Sequence, residues 1–350
     1  IFDGGSLIVD PKGKIVARSK EFEEDLLIVD VDVELNKKES KKYKYIAVSG
    51  CKHIAKEDKR IKPRSEKHSS RLARVYKALV LGTRDYVLKN HFKKVVIGIS
   101  GGIDSALVSA IAVDALGKDN VIGVTMPSQY TSGETKSDAV SLADNLGITI
   151  KTIPIFNIYY AYEQTLVKEF SNTSSNVAEE NIQARIRGNL LMALSNKFNW
   201  LVLATGNKSE FSVGYCTLYG DMSGGFAVIK DVPKTLVYEL SLYVNKQANG
   251  FERIPTSIIK RAPSAELREN QKDQDTLPPY DLLDNFLERY IEKHSPISTG
   301  SKKHKNIAEQ IVKLVKKSEY KRRQSPPGVK ITQRAFGKDW RLPITNQYDG

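Results

Sequence analysis

The chain has 350 residues, enough for one large or two ordinary domains with ample core, and 40% hydrophobic and 27% charged residues put it among globular proteins. Fifty-four Lys and Arg against 41 Asp and Glu leave a net charge of +13, and the excess is local: residues 36–94 hold nineteen basic and five acidic side chains. Two cysteines, Cys51 and Cys216, without CxxC spacing exclude a disulfide framework and a zinc site, and no apolar run approaches the ~18 residues of a bilayer span, so a reducing cytoplasm is expected.

Residues 1–35 read as strand, turn, strand, strand, over 5–10, 11–14, 15–18 and 25–32. Three strands make a poor domain, so they are expected to end a sheet whose other strands precede Ile1. The first residues have no signal-peptide character, and the missing initiator Met suggests numbering that starts inside a longer protein. Residues 36–68 form a basic linker. Such a belt could grip nucleic acid, but 37–44 and 59–67 lack interleaved stacking aromatics, so a solvated linker is expected and no nucleic-acid partner. A helix follows over 69–90, with Leu72, Val75, Tyr76, Leu79, Val80 and Val87 at amphipathic spacing.

From Lys93 onward strands over 95–100, 121–126, 148–155 and 200–205 alternate with helices over 104–116, 132–146, 158–168 and 178–197. Alternation at this pitch predicts an α/β fold, a doubly wound parallel sheet, within one domain over 69–350. Beyond Asp231 the chain reads as mostly helical, over 238–245, 280–294 and 303–316, with a basic, Pro- and Gly-rich end.

The run Ser100-Gly101-Gly102-Ile103-Asp104-Ser105 joins a β-branched strand to a helix. Two glycines bring bare backbone N–H groups against phosphate oxygens, and the Ser100 and Ser105 hydroxyls can donate to the same concavity. Asp104 discriminates further. A carboxylate beside phosphates is repulsive unless a cation lies between them, which implies Mg²⁺ with ATP. Neither GxxxxGK[ST] nor GxGxxG occurs at this turn, which argues against a Walker-type NTPase or a dinucleotide-binding turn. Thr205-Gly206-Asn207-Lys208-Ser209-Glu210 follows another strand, so its loop is expected beside the first at the carboxyl edge of the sheet.

Ser-Gly-Gly-x-Asp-Ser after a strand resembles the motif of the ATP pyrophosphatases. Four further stretches resemble the NAD synthetase family: Glu180-Asn181-Ile182-Gln183-Ala184-Arg185-Ile186-Arg187-Gly188, Ala204 to Glu210, Tyr219-Gly220-Asp221, and Met126-Pro127-Ser128 with Tyr130-Thr131-Ser132. Tyr320-Lys321-Arg322-Arg323 does so too, while the 76–86 helix, Phe2 to Ser6 and Phe22 to Leu26 resemble the glutamine-dependent branch, whose nitrilase-like glutaminase domain would end within 1–35. The resemblance implies an adenine nucleotide alpha hydrolase-like fold and ATP-dependent amidation of deamido-NAD to NAD. The nicotinate carboxylate is first adenylated, releasing pyrophosphate, and ammonia, supplied directly or from glutamine, then displaces AMP.

Carried over residue by residue, the resemblance implies that Asp104 and Glu210 hold Mg²⁺, that Thr205, Lys234 and Ser264 contact ATP, and that Asn181, Arg185, Glu210 and Lys321 meet deamido-NAD. Asp104, Glu210 and Lys234 would carry the catalysis, and a homo-oligomer is implied. Leu218, Gly225 and Tyr320 depart from the ammonia-dependent pattern, so the roles at those positions are not carried over. The glutaminase Glu, Lys and Cys would lie upstream of Ile1; Cys51 and Cys216 fall outside any nucleophile motif, and the chain as numbered is expected to use ammonia and not to hydrolyse glutamine. A GMP synthetase-like amidotransferase and a tRNA-modifying ATP pyrophosphatase share the glycine turn and stay open as alternatives.

Overall fold

The computed structural model describes residues 1–31, 61–269, 271–294 and 302–345. Most of the basic stretch, with Cys51, therefore lies outside the described residues. The chain divides into two compact units, Phe2–Ser70 and Arg71–Gly350, the latter with Ile1.

In the first unit β1 (Leu7–Val9) and β2 (Ile15–Arg18) pair antiparallel. Their turn is closed by Asp10, whose Oδ1 accepts from the amides of Lys12 and Lys14 at 2.9 and 2.8 Å, and Gly13 takes the positive φ of +82°. The strand expected over 25–32 is a correction: no ladder forms over 25–31. Alternating apolar residues make a strand only where a neighbour covers them, and here Leu26, Ile28 and Val31 are exposed. Side chains hold this segment instead, Asp25 to Arg64 at 2.5 Å and Asp30 to the Ile61 amide at 2.7 Å.

In the second unit α1 (Arg71–Lys89) leads into β3 (Val95–Gly98), α2 (Ile103–Leu116), β4 (Val121–Thr125), α3 (Gly133–Leu146) and β5 (Thr149–Thr152). Then come α4 (Phe156–Leu166), α5 (Val177–Phe198), β6 (Leu201–Ala204), α6 (Lys208–Val213), β7 (Phe226–Ala227) and α7 (Lys234–Gln247). The strands form one parallel sheet in the order β5-β4-β3-β6-β7, so the chain winds outward in both directions from β3. Ligand crevices in such sheets open where the winding reverses, at the carboxyl ends of β3 and its neighbours.

Alternation along β3 divides the core. Val95 and Ile97 join Leu79, Leu107, Ile111 and Leu240 on one face, while Val96 packs with Val124, Tyr159, Ile186 and Val202 on the other. α2 is apolar nearly all round because α1, α3 and α7 pack about it against the sheet. Ser132 caps α3, accepting from Thr135 N at 3.1 Å, and Asn176 with Glu179 closes a capping box on α5.

The chain continues through α8 (Thr256–Lys260), α9 (Tyr280–Leu287), α10 (Lys302–Lys317) and α11 (Glu319–Arg323). The single helix expected over 280–294 is α-helical only to Leu287 and widens to a π turn over Glu288–Glu292, which seats Ile291 in a cluster with Leu283, Ile311 and Val315. Below that cluster Arg322 is fully buried. It meets Glu319 at 3.0 Å, donates to Ser212 O at 2.6 Å and Val315 O at 2.5 Å, and stacks over Phe336. Arg322→Ala leaves these acceptors dry and partnerless, so a loss of about 3 kcal/mol or more is expected. Thermal denaturation reads it; an unchanged Tm would mean that the network contributes nothing net.

Candidate active site

Glycine governs the turn after β3. Gly101 has φ +76°, and a Cβ there would come within 2.5 Å of Thr135 O in the first turn of α3, so any side chain would strain the backbone and push α3 away. Gly102 caps α2 without a side-chain acceptor, leaving the first N–H groups of that helix for a ligand. The Ser105 hydroxyl bridges the turn, 2.9 Å from Gly102 O and 3.3 Å from Ser100 Oγ.

A second loop comes from β6. Asn207 caps α6 in a capping box with Glu210: its Oδ1 accepts from Glu210 N at 3.0 Å, while Glu210 Oε2 accepts from Asn207 N at 3.3 Å. The Asn207 side chain also donates to Asp104 Oδ1 at 2.9 Å, tying the two strand-end loops together. Lys234, the first residue of α7, completes the group: its ammonium lies 2.5 Å from Asp104 Oδ2 and 3.4 Å from Glu210 Oε1, with its side chain only 3% exposed. The Tyr280 ring covers it at 5.3 Å.

The charges explain each other. Burial pushes the Glu210 carboxyl up to about 8 against the pull of Lys234, with Asp104 and Asp273 adding to the rise. Burial also works against the Lys234 charge, yet Asp104 and Glu210 outweigh it and hold that ammonium above its ordinary value. Asp104 and Glu210 thus share one lysine, and a further cation beside them would favour the charged form of Glu210.

These groups line a cavity of about 290 Å³ at the carboxyl ends of β3, β4 and β6. Of the residues expected at the site, Ser100, Gly101, Gly102, Asp104, Ser105, Thr205, Glu210, Lys234 and Ser264 all line it. Ser264 does so with its hydroxyl already donated to Gln271 O at 2.5 Å. Asn181, Arg185 and Lys321 do not. Asn181 accepts from Thr217 Oγ1 at 2.7 Å, Arg185 donates to Leu218 O at 3.2 Å, and Lys321 donates to the Gly214 and Cys216 carbonyls at 2.8 and 2.7 Å. All three hold the 214–221 loop at the cavity's edge. Cys216 sits in that loop, and burial pushes its thiol well above the ordinary range, which disfavours the reactive thiolate.

Four cavity residues were missed by sequence reasoning or quoted there only as part of a motif. Asp273 is buried, accepting from the Tyr280 and Tyr215 hydroxyls at 2.8 and 3.1 Å, and no motif announces it. Asp221, whose carboxyl is raised to about 6 by burial, accepts from Thr217 N at 2.6 Å. Arg261 donates to Thr135 Oγ1 at 3.0 Å and pairs with Asp138. Arg187 lies in the stretch that also holds Arg185, but two residues turn a helix by about 200°, which puts Arg185 on the exposed face against Leu218 O and Arg187 in the cavity.

Outward winding from a central strand, with a Ser-Gly-Gly turn at its end and two acids above it, defines a fold of the adenine nucleotide alpha hydrolase class. Within that class the chain belongs to the NAD synthase family, whose pattern matches residues 75–325. It is 48% identical over 361 residues to a glutamine-dependent NAD(+) synthetase of Thermotoga maritima, and 48% identical over 359 residues to one of Aquifex aeolicus. Each match covers 99% of this chain but 62% and 63% of those curated relatives, so the chain spans less than two thirds of their length. The solved structure of glutamine-dependent NAD+ synthetase from Acinetobacter baumannii in complex with ADP superposes with a TM-score of 0.65 at 43% identity, covering 99% of this chain and 59% of the other. Among the described residues no helix is long and apolar enough to cross a membrane.

Proposed function

We propose that this chain performs the synthetase half of a glutamine-dependent NAD(+) synthetase: ATP-dependent amidation of deamido-NAD, with ammonia supplied directly or released from glutamine by a glutaminase domain of which residues 1–35 are the end. One observation carries this reading: Asp104, Glu210 and Lys234 converge above the Ser100–Ser105 turn, in a chain of the NAD synthase family. Family membership favours deamido-NAD over a guanine-nucleotide precursor or tRNA as acceptor.

The chemistry suits the arrangement. A carboxylate is a poor acyl donor until one of its oxygens becomes part of a good leaving group. The nicotinate oxygen attacks the α-phosphorus of ATP as the bond to pyrophosphate breaks; ammonia then attacks the acyl carbon and the C–O bond to AMP breaks. No protein nucleophile is required, so catalysis reduces to alignment and charge neutralisation. The amides of Gly101 and the first turn of α2 receive the departing pyrophosphate, and Lys234 offsets its charge; the Gly102 amide donates to Ser100 Oγ at 3.2 Å. Asp221, raised to about 6, can take the proton that the amine sheds.

Magnesium fits the donor set. Among the described residues no group of three or more His, Cys, Asp or Glu could hold a metal by itself, whereas Asp104 and Glu210 offer the one or two carboxylates that Mg²⁺ takes when phosphates supply the rest. Bound there, the ion would neutralise phosphate charge. A homo-oligomer in the cytoplasm belongs to the same reading, favoured by exposed Phe156, Tyr160, Tyr162 and Phe198 on α4 and α5.

The test is AMP release from Mg-ATP and an ammonium salt with deamido-NAD, xanthosine monophosphate or tRNA as acceptor. Turnover with deamido-NAD alone, lost on chelation by EDTA, is expected; AMP appearing only with either of the other two refutes the assignment.

A further inference from the structure

α5 turns Ala184, Arg187, Gly188 and Leu191 toward the cavity, one helical face with a cation at its centre. Beside it a Cβ at Gly188 would come within 2.8 Å of Gly220 O, so the 219–223 loop lies directly against the helix. The guanidinium is anchored once, by Nε to Met126 O at 3.1 Å, at the carboxyl end of β4. Among the described residues no acceptor meets Nη1 or Nη2, and no carboxylate lies within 4 Å of them. Glu266 acts on it through space but makes no contact with it, accepting instead from Thr135 Oγ1 at 2.7 Å. The other basic side chains lining the cavity are answered: Lys234 by Asp104 and Glu210, Arg261 by Asp138.

A half-buried cation whose nearest acid, Glu266, acts on it without touching it is poorly compensated, and desolvation pulls the guanidinium down to about 10. Proteins keep such a charge where a ligand supplies the partner, and a planar fork with both outer nitrogens free matches the two oxygens of a carboxylate or phosphate. We infer that Arg187 is the receptor for a substrate oxyanion, carboxylate or phosphate, held side-on by Nη1 and Nη2 at the carboxyl end of β4. Given the function proposed above, on which the naming of the probes rests, that oxyanion is either the nucleotide phosphate or the nicotinate carboxylate. The rest of each ligand is bound by other groups, so loss of Arg187 should discriminate between probes that differ only in that anion.

Calorimetric titration of the wild type, Arg187→Met and Arg187→Lys with two matched pairs tests this. Adenosine and AMP differ by the phosphate; NAD and deamido-NAD differ by amide against carboxylate. Arg187→Met is expected to weaken the anionic member of one pair by about 30-fold or more while its neutral counterpart changes little. Loss confined to AMP assigns the phosphate, and loss confined to deamido-NAD the carboxylate. Arg187→Lys, which keeps the charge without the fork, should recover part of the loss. In the ligand-free protein Arg187→Met should leave Tm unchanged or raise it, since a half-buried charge without a contacting carboxylate is removed. A residue that merely braces Met126 would give a lower Tm and no discrimination within either pair, which overturns the inference. Wild-type turnover, measured separately, reports on the functional reading: no AMP formed from deamido-NAD refutes that reading, while the adenosine and AMP pair still decides whether Arg187 receives a phosphate.

Discussion

Replacement of Asp104 by Asn is expected to lower kcat/KM for AMP formation by about 10³-fold or more with the fold retained, because the lost charge acts where phosphate charge must be offset. The amide nearly matches the carboxylate in shape, and its oxygen can still accept from Asn207 Nδ2, now 2.9 Å away. Lys234 keeps Glu210 as a partner at 3.4 Å, so no buried charge is stranded. What disappears is one of two negative groups able to recruit a divalent cation to the pyrophosphate. Chromatographic assay of AMP in saturating Mg-ATP, beside a thermal melt, reads both halves. A rate within tenfold of wild type would remove Asp104 from the chemistry, and a collapsed melt would make its role structural.

Lys234→Met should be as damaging to turnover and, unlike Asp104→Asn, should also destabilise the ligand-free protein. Its ammonium is the cation shared by Asp104 and Glu210, and each of those carboxylates is itself mostly buried, with side chains 17% exposed. Removing it drives the already raised Glu210 carboxyl further up and strands the Asp104 charge without its counterion, a loss of about 3 kcal/mol by analogy with broken buried pairs. The methionine keeps the stem that packs under Tyr280, so the effect isolates the charge. Added Mg²⁺ should therefore raise the Tm of this variant more than that of the wild type, since only in the variant do the acids lack a counterion. Equal Mg²⁺ responses in the two proteins would show that the acids do not form a shared cation site.

How Lys234 is held was not legible from its own neighbourhood. Pro233 precedes α7 and offers no side-chain cap; Asp284 of α9 does that work from fifty residues away, accepting from Thr235 N and Thr235 Oγ1 at 2.8 Å and also from Ser209, whose Oγ accepts from Lys234 N at 2.9 Å. The same is true of Lys208. It lies inside the 205–210 stretch read as a loop, yet it opens α6 and is buried against Asp231 at 3.0 Å and Glu292 at 2.8 Å. Hydrophobic periodicity is silent about a six-residue helix whose lysine points inward, because only distant carboxylates make that orientation tolerable.

The sequence by itself determined the alternating strands and helices from Lys93 onward, the glycine turn, the acids at two strand ends and, through them, the family. Those features are set by residue type and spacing within a few turns of chain: β-branched runs that must be buried on both faces, glycines where phosphate or backbone comes close, carboxylates in the first turn of a helix. Tertiary structure alone decided which polar side chains share a cavity. It turned Arg187 inward and Arg185 outward on the same helix, left Asn181 and Lys321 to hold the 214–221 loop, brought Asp273 in against two tyrosines, and left 25–31 without a sheet to join. The reason is physical: a helix face or a strand pattern fixes direction relative to its own axis, but whether that direction meets solvent, an apolar core or an opposite charge depends on elements packed from elsewhere in the chain.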